Sequence, residues 1–492
     1  MTKFSNTYEK ATMILVAFFV LVHLILNTSV GLGVDEAHYG LFALNLDWSY
    51  FDHPPMVGWL LALGIPFGLG DITLRVIPTL IMGINSALLI QLSRQLFPND
   101  PRTVFFSLGL FHLGLISQLL GWGMVPDVPL MTWNLLIVLV AFKLYENFSW
   151  RYWIAFGILV GLSGLTKYTA IVIPIALLAW LIIEKRLVNW LSQPGLWAAV
   201  VIAGILILPV IYWNAINDWV SLDYQFNHGT DGEWEIANLL QMLLVQFATY
   251  SPVLFILGVI YLISRTTQTG NYKSRLVLSM ALTHLALVAW SSGNGEILPH
   301  WAALGWLFMA PLAASIIPML WKSLAGKATL IILGSLSIIL VLALYILLAF
   351  KPVALIPGVN KAYTDIMGWK EAAAKAQDLA NENDVDFLWV ENWTHTSRIA
   401  WYAYPAPVQV IDDQINQFDL WHGEPEAKST AILITTKDRE QNYAPLLGNQ
   451  CHLLDSYIFK IDDIKINGFW FYLCAQETAT KQSVTPLIEG NL

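Results

Sequence analysis

Eleven apolar stretches joined by short polar links decide what this chain of 492 residues can become. They cover residues 11–26, 72–96, 104–120, 126–145, 153–165, 168–183, 195–213, 239–264, 277–290, 301–320 and 328–350. A helix crossing the hydrocarbon of a bilayer needs roughly 20 predominantly apolar residues, and the stretches are read as spans of about 15–25. Charged residues are 12% of the chain, against about 25% in soluble domains. That is too few to coat a water-facing surface, so a soluble globule, a disordered chain and a coiled coil are excluded. The 22 Trp and 18 Tyr suit aromatic belts at two interfaces. A net charge of −9 gives nucleic-acid binding no electrostatic support. The expected class is a polytopic α-helical membrane protein. A twelfth apolar stretch, 54–69, is interrupted by Pro54, Pro55, Gly58, Gly64 and Pro66, and is expected to lie in the interface. Lys3 and Lys10 precede the first stretch as they would a signal peptide. No small-x-small cleavage site follows, and the stretch is read as a retained span.

Charge divides the chain at residue 350. Residues 1–350 carry 15 Lys and Arg and 16 Asp and Glu; residues 351–492 carry 11 and 19. The expectation is a membrane body, 1–350, and a water-facing domain, 351–492. With the N-terminus in the cytoplasm, 13 of the 15 body cations fall inside, leaving Arg75 and Lys167 outside. Eleven spans then put the C-terminal domain on the outer, periplasmic face. Twelve body carboxylates gather on that face, while Glu9, Asp100, Glu146 and Glu184 lie inside. In the C-terminal domain, 369–381 reads as a helix and 387–390, 408–411, 431–435 and 469–473 as strands, a small α/β fold. Cys451 and Cys474 both lie there, either bridged in an oxidising compartment or as two buried thiols.

Chemistry-bearing residues cluster at the outer links. Asp35 and Glu36 follow the first span, within Val34-Asp35-Glu36-Ala37-His38-Tyr39. Adjacent carboxylates there are either a solvated pair or a general base raised in pKa by partial burial. Tyr50-Phe51-Asp52-His53-Pro54-Pro55 holds a histidine in a rigid turn, either a cap or a phosphate-pairing cation. Asp127, in Pro126-Asp127-Val128-Pro129, either caps the fourth span or is a second active-site carboxylate. Lys167 stands between two apolar runs and either snorkels or binds an anion. His300, beside Trp301, is an interfacial anchor or another cation. His23, His112 and His284 fall within spans and read as helix–helix polar contacts. Asp384-Val385-Asp386 reads as a chance likeness to a metal triplet. No Gly-rich phosphate loop, H-E-x-x-H, C-x-x-C or Ser-nucleophile elbow is present, which argues against an ATP-driven pump or a metalloprotease.

The order D-E-A-x-Y, F-D-H-P-P, P-D-x-P and L-T-K-Y-T, followed by Tyr212-Trp213-Asn214-Ala215 and Tyr224-Gln225-Phe226, closely resembles one family. It is the bacterial branch of the dolichyl-phosphate-mannose protein mannosyltransferases, GT-C-type enzymes that include the lipid A aminoarabinose transferases. The resemblance covers residues 10–310 well and the C-terminal domain in outline. It implies a polyprenyl-phosphate sugar donor, membrane lipids around the body, and a lipid or protein acceptor modified on the outer face of the inner membrane. By that resemblance Asp35 is the catalytic carboxylate, with Glu36 beside it, and Asp127 matches a second acidic position. His53 and Lys167 match positions near the donor phosphate, with His300 as a further cation. Tyr39, Asp52 and Tyr168 line the substrates. The aminoarabinose enzymes commonly carry Lys where His53 stands and have thirteen spans, so their sugar is not carried over. No cofactor is required by the resemblance, and a divalent metal ion held by Asp35 and Asp127 stays open.

Chemistry points the same way. An outer-face enzyme cannot draw on cytosolic nucleotide sugars, and a lipid-borne donor solves that. Its leaving phosphate gathers negative charge that Lys167, His53 and His300 could stabilise, while Asp35 takes the acceptor's proton in a single inverting displacement. The alternatives are a transporter or flippase, which would be expected to place charges at the midplane on broken helices, and a non-catalytic assembly partner.

Overall fold

The computed structural model describes residues 3–230, 233–264, 271–295, 298–412, 414–426, 429–438 and 450–475. Asp231 and Glu296, two of the twelve outer carboxylates, and Arg265, one of the 13 inner cations, lie outside them. The chain forms two units: Met1–Asn27 with Leu46–Ile346, and Thr28–Asn45 with Leu347–Leu492. The segment 28–45, expected in the membrane body, is thus part of the second unit.

The first unit is helical. It runs from α1 (Lys3–Leu26), and after α2 (Val34–Leu44) of the second unit continues through α3 (Met56–Ala62), α4 (Asp71–Leu96), α5 (Pro101–His112), α6 (Leu115–Leu120) and α7 (Asp127–Glu146). Then come α8 (Trp150–Gly164), α9 (Val172–Ile183), α10 (Leu187–Leu191), α11 (Pro194–Ile216) and α12 (Val220–Thr230). The series closes with α13 (Ile236–Thr249), α14 (Pro252–Ser264), α15 (Tyr272–Gly293), α16 (Ala303–Ala314), α17 (Ile317–Leu320) and α18 (Leu324–Phe350). Among the described residues six helices are long and apolar enough to cross a membrane, or seven if α13 and α14 form one span. This is a multi-pass membrane protein.

Several expected spans are broken rather than continuous. The stretch 104–120 parts into α5 and α6 at Gly114, whose added Cβ would meet the Thr249 carbonyl at 3.3 Å. The stretch 239–264 bends by 118° between α13 and α14. Ser251 has φ +76° there, and Pro252 lacks the N–H that would continue a helix. The stretch 301–320 starts as a 3₁₀ turn, Pro299–Ala302, and divides again after Ala314. The interfacial segment is present as α3 and a 3₁₀ turn at Ile65–Phe67.

Small residues set the helix spacing beside the site. A Cβ on Gly157 would come within 2.7 Å of the Ala199 backbone, and one on Gly161 within 2.7 Å of Leu206. The backbones of α8 and α11 therefore approach closely, as helices in lipid must when van der Waals packing drives their association. Two of the three span histidines make the expected helix–helix contacts, His23 Nε2 with Gln118 at 2.8 Å and His112 Nε2 with Ser86 at 2.8 Å, whereas His284 Nδ1 lies 2.7 Å from the Met280 carbonyl of its own helix. At the far end of α7, Glu184 pairs with Arg275 and accepts from Tyr145 at 3.0 Å, while Tyr272 donates to Glu146 at 2.8 Å.

The second unit is an α/β fold with a five-stranded sheet of order β2-β1-β3-β5-β4. The strands are β1 (Phe387–Val390), β2 (Val408–Val410), β3 (Thr430–Thr435), β4 (Gln450–Ile461) and β5 (Ile464–Ala475). β2, β1 and β3 run parallel, and β5 and β4 are antiparallel to their neighbours. Its helices are α2, α19 (Trp369–Glu382), α20 (Trp393–Ala403) and α21 (Gln417–His422). Cys451 and Cys474 are direct cross-strand partners and form a disulfide, which decides between the two readings above.

Asn392 caps α20 by accepting from the His395 N–H at 3.0 Å. Burial first, then the Arg398 charge, hold the His395 imidazole down to about 4, and burial lowers His422 too. An unfolded histidine takes its proton near pH ~6.5. Below that pH the unfolded state binds the extra proton, so stability present above it is lost as pH falls towards 4. For His395 the loss is on the order of 2–3 kcal/mol. His395→Gln is expected to flatten much of the fall in thermal stability on acidification from neutral pH to about 4. Equal falls in variant and parent would assign the acid sensitivity elsewhere.

Candidate active site

Asp127 is the first residue of α7, where the helix dipole favours a carboxylate, and it is 2% exposed. The α7 start is fixed from α4: Asn85 Nδ2 donates to the Val128 carbonyl at 2.9 Å, and Thr132 donates to Asn85 Oδ1 at 2.6 Å. Lys167 lies in the break between α8 and the 3₁₀ turn Tyr168–Ile171, with extended backbone at φ −157°. That break is held by Trp133 Nε1, which donates to Thr166 Oγ1 at 3.1 Å. Across it, Lys167 Nζ donates to both Asp127 oxygens, at 3.0 and 2.8 Å. The Lys167 side chain is 6% exposed, so the pair is buried rather than snorkelling.

Two histidines join this pair. His300 stands in the Pro299–Ala302 turn, which Tyr250 fixes by donating to the Pro299 carbonyl at 2.6 Å. Its Nε2 is 3.8 Å from Asp127 Oδ2. Trp301, beside it, has its ring centroid 5.8 Å from Lys167 Nζ. His53 belongs to a turn in which Tyr50 N–H donates to the His53 carbonyl at 3.0 Å. The following Met56 N–H donates to the Leu165 carbonyl at 3.1 Å, two residues before Lys167. Lys167, His300 and His53 all act electrostatically on the Asp127 carboxylate. All three expected phosphate-site cations thus converge on Asp127. His284, on α15, feels the Asp127 and Lys167 charges and places Nδ1 2.7 Å from the Met280 carbonyl.

The neighbouring residues hold this corner together. Tyr168 hydroxyl lies 2.7 Å from Ser221 Oγ, accepts from Asn214 at 3.1 Å and is 3.5 Å from Ser49 Oγ. Ser221 donates to the Tyr50 carbonyl at 2.9 Å, and Gln225 to the Asp52 carbonyl at 2.6 Å. Tyr224 packs on Phe51 with ring centroids 4.8 Å apart. Helix α12 therefore clamps the turn that carries Asp52 and His53. Sequence reading missed Tyr250, Ser221 and Asn214 in these roles; the Ser251-Pro252 break beside Tyr250 was the available signal.

Asp35, Glu36 and Tyr39 lie on α2, in the second unit. Glu36 Oε2 accepts from the Gly33 N–H at 3.0 Å, closing the helix start. Tyr39 is buried and packs edge-on to Phe42, centroids 5.5 Å apart. Asp35 is half-buried in the first turn.

Among the described residues no three His, Cys, Asp or Glu side chains gather as a metal site would require. Both Asp127 oxygens are already engaged by one ammonium, so this donor set does not fit a divalent ion, and Asp384 sits in a turn at φ +55°.

Residues 52–213 match the model of the dolichyl-phosphate-mannose-protein mannosyltransferase family, a stretch that contains Asp52, His53, Asp127, Lys167 and Tyr168. The chain is 23% identical over 380 residues to the lipid A galacturonosyltransferase RgtD of Rhizobium johnstonii, covering 73% of this chain and 75% of that protein. Its fold is similar to that of the apo crystal structure of ArnT from Cupriavidus metallidurans, with a TM-score of 0.62 at 15% identity, over 94% of this chain and 97% of that one. A helical body with a small sheet domain, the matched family segment and the related transferase together make this chain similar to bacterial membrane glycosyltransferases of the GT-C type.

Proposed function

We propose that the chain moves a sugar from a polyprenyl-phosphate donor to a hydroxyl of an envelope acceptor, at the outer face of the inner membrane. The orientation rests on the Lys and Arg asymmetry: cytoplasmic N-terminus, periplasmic second unit. RgtD is named for lipid A, which favours lipid A or another envelope glycolipid as acceptor, ahead of a glycan or protein hydroxyl.

The observation that carries this reading is the buried Asp127–Lys167 pair with His300 and His53 around it. Asp127 and Lys167 neutralise each other, and two of the three ammonium protons are spent on the carboxylate. The third can donate to an anion, and protonated His300 and His53 can offset a second negative charge. A phosphodiester donor carries one charge and its leaving phosphate monoester approaches two, so the cations stabilise the departing group more than the bound donor. Asp127 then serves as the positioning residue of Lys167. The acceptor oxygen attacks the anomeric carbon, the carbon–oxygen bond to phosphate breaks, the phosphate leaves with the bond electrons, and the acceptor proton passes to Asp35. One displacement inverts the anomeric centre.

Two experiments test this. Asp35→Asn is expected to lower product about 100-fold or more while the protein folds and binds polyprenyl phosphate. Product is read by mass spectrometry of lipid A, glycan and envelope protein from a deletion strain complemented with each variant. Unchanged product would remove Asp35 from the mechanism. Separately, Asp127→Asn and Lys167→Met should each cost about 3–5 kcal/mol of stability by stranding a buried charge. Combining them should restore most of that stability but not polyprenyl-phosphate binding. Recovery of binding in the double variant would reduce the pair to packing.

A further inference from the structure

The second unit is more than a sheet domain appended to a membrane body, because α2 is built into it. Leu32 N–H donates to the Tyr402 hydroxyl of α20 at 2.9 Å. Gly31 lies so close that an added Cβ would come within 2.4 Å of the Ile366 carbonyl. Ile366 is itself placed through its neighbour Asp365, whose carboxylate and carbonyl both accept from Arg398 of α20. Three residues after Asp35, buried His38 places Nδ1 3.2 Å from Ser397 Oγ. Ser397 gives its own proton to the Trp393 carbonyl at 2.8 Å, so His38 is the donor. The imidazole is enclosed by Phe42, Trp393 and Tyr39, centroids 4.8, 5.4 and 5.6 Å away. Asp35 thus sits between two anchors, Leu32–Tyr402 and His38–Ser397, both ending on one helix of the C-terminal domain.

We propose that α20 is the positioning element for Asp35, with Tyr402 and Ser397 as positioning residues that touch no substrate and set where the proton-accepting carboxylate stands. This rests on the reading of Asp35 as the base. Misplacing a reacting group by an ångström can cost about 100-fold in rate, and loss of one anchor should cost part of that.

Tyr402→Phe removes the acceptor for the Leu32 N–H. Product in the complemented deletion strain, normalised to protein level, is expected to fall about tenfold, with unchanged affinity of the purified protein for synthetic polyprenyl phosphate. Ser397→Ala and Gly31→Ala should act in the same direction, and exposed Lys370→Ala should do nothing. In the Asp35→Asn background, Tyr402→Phe should have no further effect, because it acts through Asp35. The proposal is overturned if both anchor variants keep full product while Asp35→Asn loses it, or if they weaken polyprenyl-phosphate binding as much as product. Should Asp35→Asn itself keep product, the underlying reading of the base fails, and this proposal with it.

Discussion

A lysine and an aspartate that share one buried contact govern the first unit. Either charge alone in a protein interior would cost several kcal/mol, roughly the whole stability of an ordinary domain. The pair is tolerable only while its geometry holds. That requirement propagates outward: the start of α7 is tied to α4 through Asn85 and Thr132, and the break before Lys167 is tied to α7 through Trp133. The glycine contact of α8 with α11 brings in the helix from which α12 reaches the turn of His53. What looks like a set of separate motifs is one mechanical assembly, closed by 2.8–3.0 Å ion-pair contacts.

The two units carry the candidate residues on different kinds of element. Cations suited to a phosphate are carried by breaks and 3₁₀ turns in the first unit, where the helix ladder is interrupted and side chains can be aimed inward. Asp35 is carried by the first turn of a helix packed into the second. Helix ends suit both tasks, since a carboxylate in a first turn is favoured by the dipole and an interrupted ladder leaves polar groups free to recruit partners.

Hydropathy made the membrane body legible, because lipid demands apolar surface whatever the backbone does. The same fact hid the breaks: residues 239–264 are uncharged and mostly apolar, and only Ser251-Pro252 hinted at a 118° bend. Lys167 was conspicuous as an outer cation, but its partner stands 40 residues away, and no local spacing rule reaches that far. In the second unit the parallel strands were visible as short apolar runs. β4 was missed because Gln450–Ile461 alternates poorly, although Asp462-Asp463, both at positive φ, forms the two-residue turn that joins it to β5. The placement of 28–45 was invisible for another reason: its partners, Tyr402 and Ser397, lie more than 350 residues further along.

Hydrogen bonding weighs against two of the three acids that the sequence made candidates for proton transfer. A carboxylate can accept an acceptor's proton only through a lone pair that faces the substrate and is not already committed to a stronger donor. Asp127 has an ammonium proton on each oxygen, and protonating it would strand the lysine charge. Glu36 has an oxygen on the Gly33 N–H, where it closes the helix start. Asp35 shares that first turn and is half-buried. The proposal that Asp35 is the base therefore rests on its place in the motif, with Asp127 and Glu36 disfavoured by the bonds they make.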